Sequence, residues 1–545
     1  FSLAIQPLAS SLKEINVNGK TLDLGMFYLD DGVLAGDLSV VSAALGRVSE
    51  YGRRLGLTLN VGKCELILAS DSTQHDLLNL FPAELLVDPE TGNSRVDTNG
   101  RFELLGAAIG DQTFCEAYCA DKVKTASGLL DQLSSLEDPQ VALRLMRNCA
   151  GACKVTHSMR MTPPHLQSKA MAEFDSKVRS AFNAVTGLMP DNKQWGQACR
   201  STKQAGLGLR SAALHSAPAF LASSCAARVL CHSLDPGFTL EASDPSSSFG
   251  LALASFNNRL PSEKQLRPEQ VPDLRQRDLS KLLDGAGHDE RMDGACIVDQ
   301  ATLRSECEDG AKDFFEVVPS RSLGLAVAAA EFVTETRYRL CIPDGTQETW
   351  CPLCDQVLDT RGHHARICCA GGDRVLRHNR VRNENFRFCC TAGAHPELEK
   401  SGLLLPSRPS DGARSLRRPA DVYLPCWTGG FPAALDFAVT APQRQGIVSI
   451  AAKESLAAAT AYSQTKRDYQ GTEKACADQG VKFIPMVCET SGAWATEARE
   501  TLLLLAKASA ARSGKTTAKT YREFLQRASV AVRTANARAH LKRFQ

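Results

Sequence analysis

Along residues 21–36, apolar positions flank an Asp30-Asp31 pair with Gly32 behind it, a pattern that predicts two strands joined by a tight turn. Residues 37–55 follow with amphipathic helical spacing, and 1–11 reads as an apolar helix in which Pro7 is the one dissenting residue. Helix formers dominate 121–188, with Arg144, Arg147, Lys154, Arg160 and Lys169 spread along them; 195–221 holds a Gly206-Leu207-Gly208 turn before an alanine-rich helix. Ser, Pro and Gly concentrate at 234–262, which predicts a linker, and 266–343 predicts helices of mixed charge. Farther on, 433–440 (Ala-Ala-Leu-Asp-Phe-Ala-Val-Thr) is a nearly unbroken apolar run that predicts a buried strand, and 481–489 predicts another. Between them, 449–469 lacks Gly and Pro and predicts one helix. The last helix, 515–545, carries Lys515, Lys519, Arg522, Arg527, Arg533, Arg538, Lys542 and Arg543 against Glu523 as its only acid, a stripe suited either to phosphates or to solvent.

With 545 residues, 43% hydrophobic and 23% charged, the chain can bury large cores, and three or more domains are expected. A net charge of only +2 argues against a uniformly basic nucleic-acid binder and leaves that role to local clusters. Twenty cysteines, spread through the chain without a signal peptide ahead of them, point to a reducing compartment, and no apolar run is long enough to span a bilayer. The start at Phe1, directly in an apolar segment, is that expected of a fragment.

The chemistry concentrates between 351 and 469. Cys351 and Cys354 at i and i+3 can face one ion from a tight turn, and His364 with Cys368 can do so from one helical turn, which makes a four-ligand structural zinc site; His363, Cys369 and His378 are the alternatives. Asp436 in the middle of an apolar strand is costly unless paired or bound to a cation, and a second strand begun by Asp421 can bring both acids onto one Mg2+. The plainer reading has Asp421 capping a turn and Asp436 paired with Arg417 or Arg418. Tyr462, Lys466 and Tyr469 fall at i, i+4 and i+7 on one helical face, which supplies a lysine to orient water or offset phosphate charge; Lys453 is its rival, and Glu489 either completes the site or is exposed.

In order, CxxC, GxHxxxC, the basic segment Arg377-His378-Asn379-Arg380-Val381-Arg382, RPxD, LDxxVT and a helix with K-x-x-Y resemble the C-terminal part of polyproteins from retrotransposons that lack long terminal repeats and carry a restriction-like endonuclease. Tyr28-Leu29-Asp30-Asp31, the GLxLNxxKCE segment around Lys63 and the LLGxxIG segment at Leu104 are similar to the later palm motifs of a reverse transcriptase. The resemblance implies an endonuclease of PD-(D/E)xK type that nicks target DNA, its lysine displaced from strand to helix. Asp421, Asp436, Lys466 and Tyr469 would then be catalytic with Mg2+. Arg374, Arg377, His378, Arg380, Arg382 and Lys63 would bind nucleic acid, and Asp30 and Asp31 would be polymerase metal ligands. Ala420 interrupts the usual Pro-Asp pair, and Ala438 stands where the strand lysine would be. Because a further aspartate and the template-holding fingers belong to earlier palm segments, polymerisation by this chain is not expected.

The implied fold is multidomain α+β and α/β: a partial palm (1–115), a helical thumb-like region (116–233), a linker (234–262), a helical connector (263–345), a zinc knuckle with basic segment (346–385), a restriction-like α/β endonuclease (386–510) and a basic helix (511–545). The implied partners are target DNA and element RNA, without a membrane, in the nucleus. The alternative function is a non-catalytic relic that binds nucleic acid through the knuckle and basic helices.

Overall fold

The computed structural model describes residues 1–68, 74–404 and 418–544 of a helix-rich α+β chain with small sheets. It divides into two compact units, Phe1–Cys119 and Ala120–Gln545.

In the first unit, β1 (Leu24–Tyr28) and β2 (Asp31–Ala35) pair antiparallel with Tyr28 opposite Asp31, and Leu29 turns the chain at a positive φ of 56°. Gly32 lets Phe27 lie across this hairpin, since a Cβ there would sit 2.7 Å from the ring. The Ser2–Leu12 helix forms despite Pro7; the carbonyl deprived of its donor belongs to Leu3, which is 92% exposed and open to water. Asp37 caps the Leu38–Arg54 helix, and Leu8, Leu12, Val40 and Ala44 close a small core with Phe27 and Leu34. The short strands β3 (Leu66–Ile67) and β4 (Val96–Asp97) pair parallel, and β5 (Phe102–Leu104) with β6 (Ala107–Ile109) makes a second hairpin through Leu105-Gly106, both at positive φ.

In the second unit the expected linker is instead packed structure. Within it Ser247 caps the Ser248–Asn257 helix, and Phe249, Leu253 and Phe256 bury against Leu221, Leu279 and Leu283. The two-stranded β7 (Thr349–Trp350) and β8 (Val357–Leu358) opens the knuckle. The largest sheet runs in the order β12-β11-β10-β9, from β9 (Glu397–Leu398), β10 (Val422–Leu424), β11 (Ala433–Thr440) and β12 (Lys482–Glu489). β9, β10 and β11 are antiparallel neighbours and β12 joins β11 in parallel, so the chain between these last two must cross over through helix. Leu435, Phe437, Met486 and Cys488 face Val381, Phe388, Leu502, Phe524 and Val532 in the core, and along β11 only Asp436 and Val439 are partly exposed.

Two expectations change here. The single helix expected at 449–469 is broken: Val448–Ala451 ends, Leu456 turns at φ 60° to bury against Ala311 and Ala493, and Ala457–Asp468 resumes. The basic C-terminal helix, Thr517–Phe544, is no free solvated tail: one face is buried, while Lys519, Arg522, Arg527, Arg538 and Lys542 stay exposed on the other. Phe524, Ala528, Val532, Ala537 and Ala539 bury it in the core, while Arg533 and Arg543 are themselves buried. Residues 263–345, the knuckle, the four-stranded sheet and the last helix all belong to the second unit.

Candidate functional site

Two clusters of polar side chains stand out among these elements. In the knuckle, Cys351 and Cys354 come from the turn between β7 and β8, while His364 and Cys368 come from the His363–Ile367 helix and its end. The Asp359 carboxylate fixes that helix by accepting the backbone N–H groups of Arg361, His363 and His364 at 3.0, 3.0 and 2.7 Å. All four donor atoms lie within 4.8 Å of one another, with Cys354 Sγ 3.3 Å from His364 Nε2 and 3.6 Å from Cys368 Sγ. Thiolates sharing a tetrahedral zinc at ~2.3 Å sit about 3.8 Å apart, so three Cys and one His fit the ion. Burial raises the Cys351 thiol, but the Leu353 amide, the His364 ring and the Cys354 amide outweigh it and bring it down to about 6. The other candidates lie elsewhere: His363 is buried edge-on to Tyr338, Cys369 is exposed beside Arg374, and His378 faces Asp421. Gly362 is required at the entry to this helix, since a Cβ would fall 2.3 Å from His540 Nδ1.

The second site straddles β10 and β11. Asp421, just before β10, donates its N–H to Leu435 O at 3.0 Å, and its Oδ2 accepts the Phe437 N–H at 2.7 Å. Its Oδ1 lies 3.3 Å from His378 Nε2 on the Asp373–Thr391 helix. Asp436, in β11, meets Lys466 Nζ with both oxygens, at 2.9 and 3.1 Å. Side-chain exposures of 20% for Asp421 and 18% for Asp436 leave both acids half-buried but reachable from solvent. Burial and the neighbouring Asp421 push the Asp436 carboxyl up to about 6 against the pull of Lys466. Asp421 moves the other way: burial raises it, and His378, the Phe437 amide and Lys466 lower it further than that. Lys466 is held above the usual lysine range, because Asp436 outweighs the effect of burial. Two neighbouring acids are thus driven apart, one held below and one above the ordinary carboxylate range, beside a lysine.

The plainer pairing does not form, since Arg418 reaches Glu399 at 3.4 Å and the partner of Asp436 is Lys466; Arg417 lies outside the described residues. Lys453 is exposed between the two short helices. Tyr462 packs on the sheet core beneath Arg444, whereas Tyr469 follows the end of its helix and is 65% exposed, so the common helical face ends before it. Glu489 neither completes the site nor is exposed. Its strand register pairs it with Thr440, about 13 Å along the sheet from Asp436 by strand rise. There Ser305 donates to its buried carboxylate, and burial pushes it up to about 7.

The basic segment is not a uniform phosphate surface. Arg377 is buried, donating to Arg366 O and Asn536 Oδ1, because helical spacing turns it with Val381 and Asn385 into the core. Arg382 pairs with Glu399 and Arg380 donates to Thr534 Oγ1, which leaves Arg374 as the exposed member. On the C-terminal helix, Arg533 reaches Glu306 at 2.5 Å and Glu335 at 3.0 Å. Arg339 joins Glu306 at 2.5 Å, and Arg366 reaches Glu335 at 2.8 Å while stacking on Tyr338. All five charged residues of this cluster are essentially sealed from solvent, and the separation of their partners along the chain hid it from sequence reading.

In the first unit, Asp30 and Asp31 stand exposed at the hairpin tip and Lys63 is exposed after its turn. Among the described residues, the knuckle is the one group of three or more His, Cys, Asp or Glu whose donor atoms converge closely enough for a metal. No helix among the described residues is long and apolar enough to cross a membrane. No protein-family model matches the chain, and no curated protein matches it.

Proposed function

We propose that this chain is part of a retrotransposon polyprotein whose working site is an Mg2+-dependent, DNA-nicking endonuclease built on Asp421, Asp436 and Lys466, and whose knuckle carries structural Zn2+. The observation that carries this reading is the reach of Lys466, on a crossover helix, to both oxygens of an acid in the middle of a buried strand. Ala438 leaves the strand without its lysine, and the helix supplies one at the same carboxylate. The donor set suits a hard cation: two carboxylates, one of them raised to about 6 by burial and by its neighbour's charge. When bound, Mg2+ supplies hydroxide and offsets charge on the phosphodiester.

The chain's own residues do the positioning. The Phe437 amide and His378 fix the Asp421 carboxylate from two sides, and Asp436 holds the Lys466 ammonium where it can orient water or meet a phosphate oxygen. Target DNA, element RNA and a nuclear setting follow from the same reading, with Asp30, Asp31 and Lys63 as polymerase ancestry. The binding-only alternative draws less support, because many of its arginines are buried or paired within the protein.

Nicking of supercoiled plasmid by the full zinc-loaded chain tests the reading, with Mg2+ or EDTA and beside Asp436→Ala and Lys466→Ala. Mg2+-dependent nicking lost in both variants is expected. A folded wild type that does not nick would sink the proposal.

A further inference from the structure

We propose that a hollow between the Asp373–Thr391 and Thr517–Phe544 helices binds a backbone phosphate of duplex DNA. The inference rests on the nuclease reading only for DNA as the partner, and it concerns grip on the strand, not cleavage. Phe388 stacks on Phe524 with ring centres 4.2 Å apart, Arg380 donates to Thr534 Oγ1 at 3.2 Å, and Arg377 donates to Asn536 Oδ1 at 2.8 Å. These contacts descend one helix as they climb the other, so the pair is antiparallel and its register sets Arg387 level with Arg527. Arg380, Asn383, Glu384 and Arg387 fall at i, i+3, i+4 and i+7, and Arg527, Val530, Ala531 and Thr534 repeat that spacing opposite, so each helix turns one stripe into the hollow. The small side chains of Val530 and Ala531 leave a cavity of about 310 Å³ between the stripes.

Charge in this cavity is unbalanced. Three guanidinium groups meet one carboxylate, Glu384, which Arg387 engages. Arg527 is exposed and has no ion pair or hydrogen bond among the described residues. Burial and the charge of Arg538 lower the Arg380 guanidinium from its ordinary value more than Glu331 restores it. Asn383 Oδ1 accepts from Arg382, which leaves the amide NH2 free to donate. A guanidinium stays protonated and offers a planar fork that meets two phosphate oxygens at once. Arg387 is 70% exposed, and an exposed pair with Glu384 yields to a phosphate with little loss. A small free anion keeps most of its water beside two such exposed arginines, whereas a phosphate carried on a long, charged backbone is held there by its neighbours as well.

The full zinc-loaded chain is mixed with a short fluorescent DNA duplex, without added Mg2+, and binding is followed by anisotropy over a range of salt. Arg527→Ala is expected to lower the slope of log affinity against log salt by about 0.9, the share of one phosphate. Arg527→Glu should weaken binding about tenfold, and Arg387→Ala should weaken it in the same direction. Arg522→Glu, on the same helix but outside the cavity, should cost much less. Affinity unchanged in Arg527→Glu, or a loss no larger than in Arg522→Glu, would overturn the assignment and leave the nuclease reading standing. Inorganic phosphate at constant ionic strength is the second arm. Displacement of the duplex by low millimolar phosphate from wild type but not from Arg527→Glu would give the cavity to the free anion and overturn the DNA assignment. A wild type that binds no duplex at low salt would remove the assignment and the nuclease reading together.

Discussion

Two clusters of charge lie inside the second unit, and their difference shows how a sealed core charge is told from one left within reach of solvent. Glu306, Glu335, Arg339, Arg366 and Arg533 are sealed from solvent, and each carboxylate meets two guanidinium groups. Asp421 and Asp436 stay partly open, with one lysine and one histidine between them. The first cluster sets each buried acid against arginines, as burial demands. In the second, Asp436 sits at about 6, the mark of a carboxylate short of compensating charge.

Breaking each cluster sharpens the contrast. The largest stability effect belongs to Arg533→Ala, which strips Glu306 and Glu335 of a shared partner; denaturant unfolding should show a loss of about 3–5 kcal/mol. Lys466→Ala, with its partner near solvent, should leave the unfolding midpoint close to wild type while lowering plasmid nicking about 10²- to 10³-fold. Next in size is a pH effect. A proton and a cation compete for Asp436, so Mn2+ affinity should climb roughly tenfold per unit up to about pH 6 and flatten above it, a slope absent from Asp436→Asn. The sign for folding is opposite. A carboxyl raised in the folded state contributes stability that is fully present below its ordinary 3.8 and is lost as pH rises through about 6. Denaturation in EDTA should show that loss, and saturating Mg2+ should reverse it. The smallest effect is expected at Arg418, whose pairing with Glu399 is solvent-exposed: Arg418→Ala should shift stability by under about 1 kcal/mol.

Local spacing made parts of this molecule legible. Cys351, Cys354, His364 and Cys368 fall within a short stretch, where one turn and one helical step decide which atoms meet. The strands 433–440 and 481–489 read as apolar runs because both faces of the sheet are covered, and Lys466 fell out of helical periodicity. On the C-terminal helix a count of positive residues does not say which of them will meet acids more than two hundred residues earlier, as Arg533 meets Glu306. Nor could spacing distinguish Arg377, turned into the core, from His378 beside it, turned toward Asp421. The break at Leu456 answers to a hydrophobic contact with Ala311 and Ala493, which no local pattern contains.

Arg366 sits between His364 and Cys368 in the knuckle, yet its guanidinium belongs to the buried cluster through Glu335. A chain made under zinc starvation would therefore leave Glu335, deep in its core, with Arg533 alone of its two arginines. Half-finished chains of that kind are what quality-control proteases clear, so the supply of one trace element would set how long this protein survives in a cell.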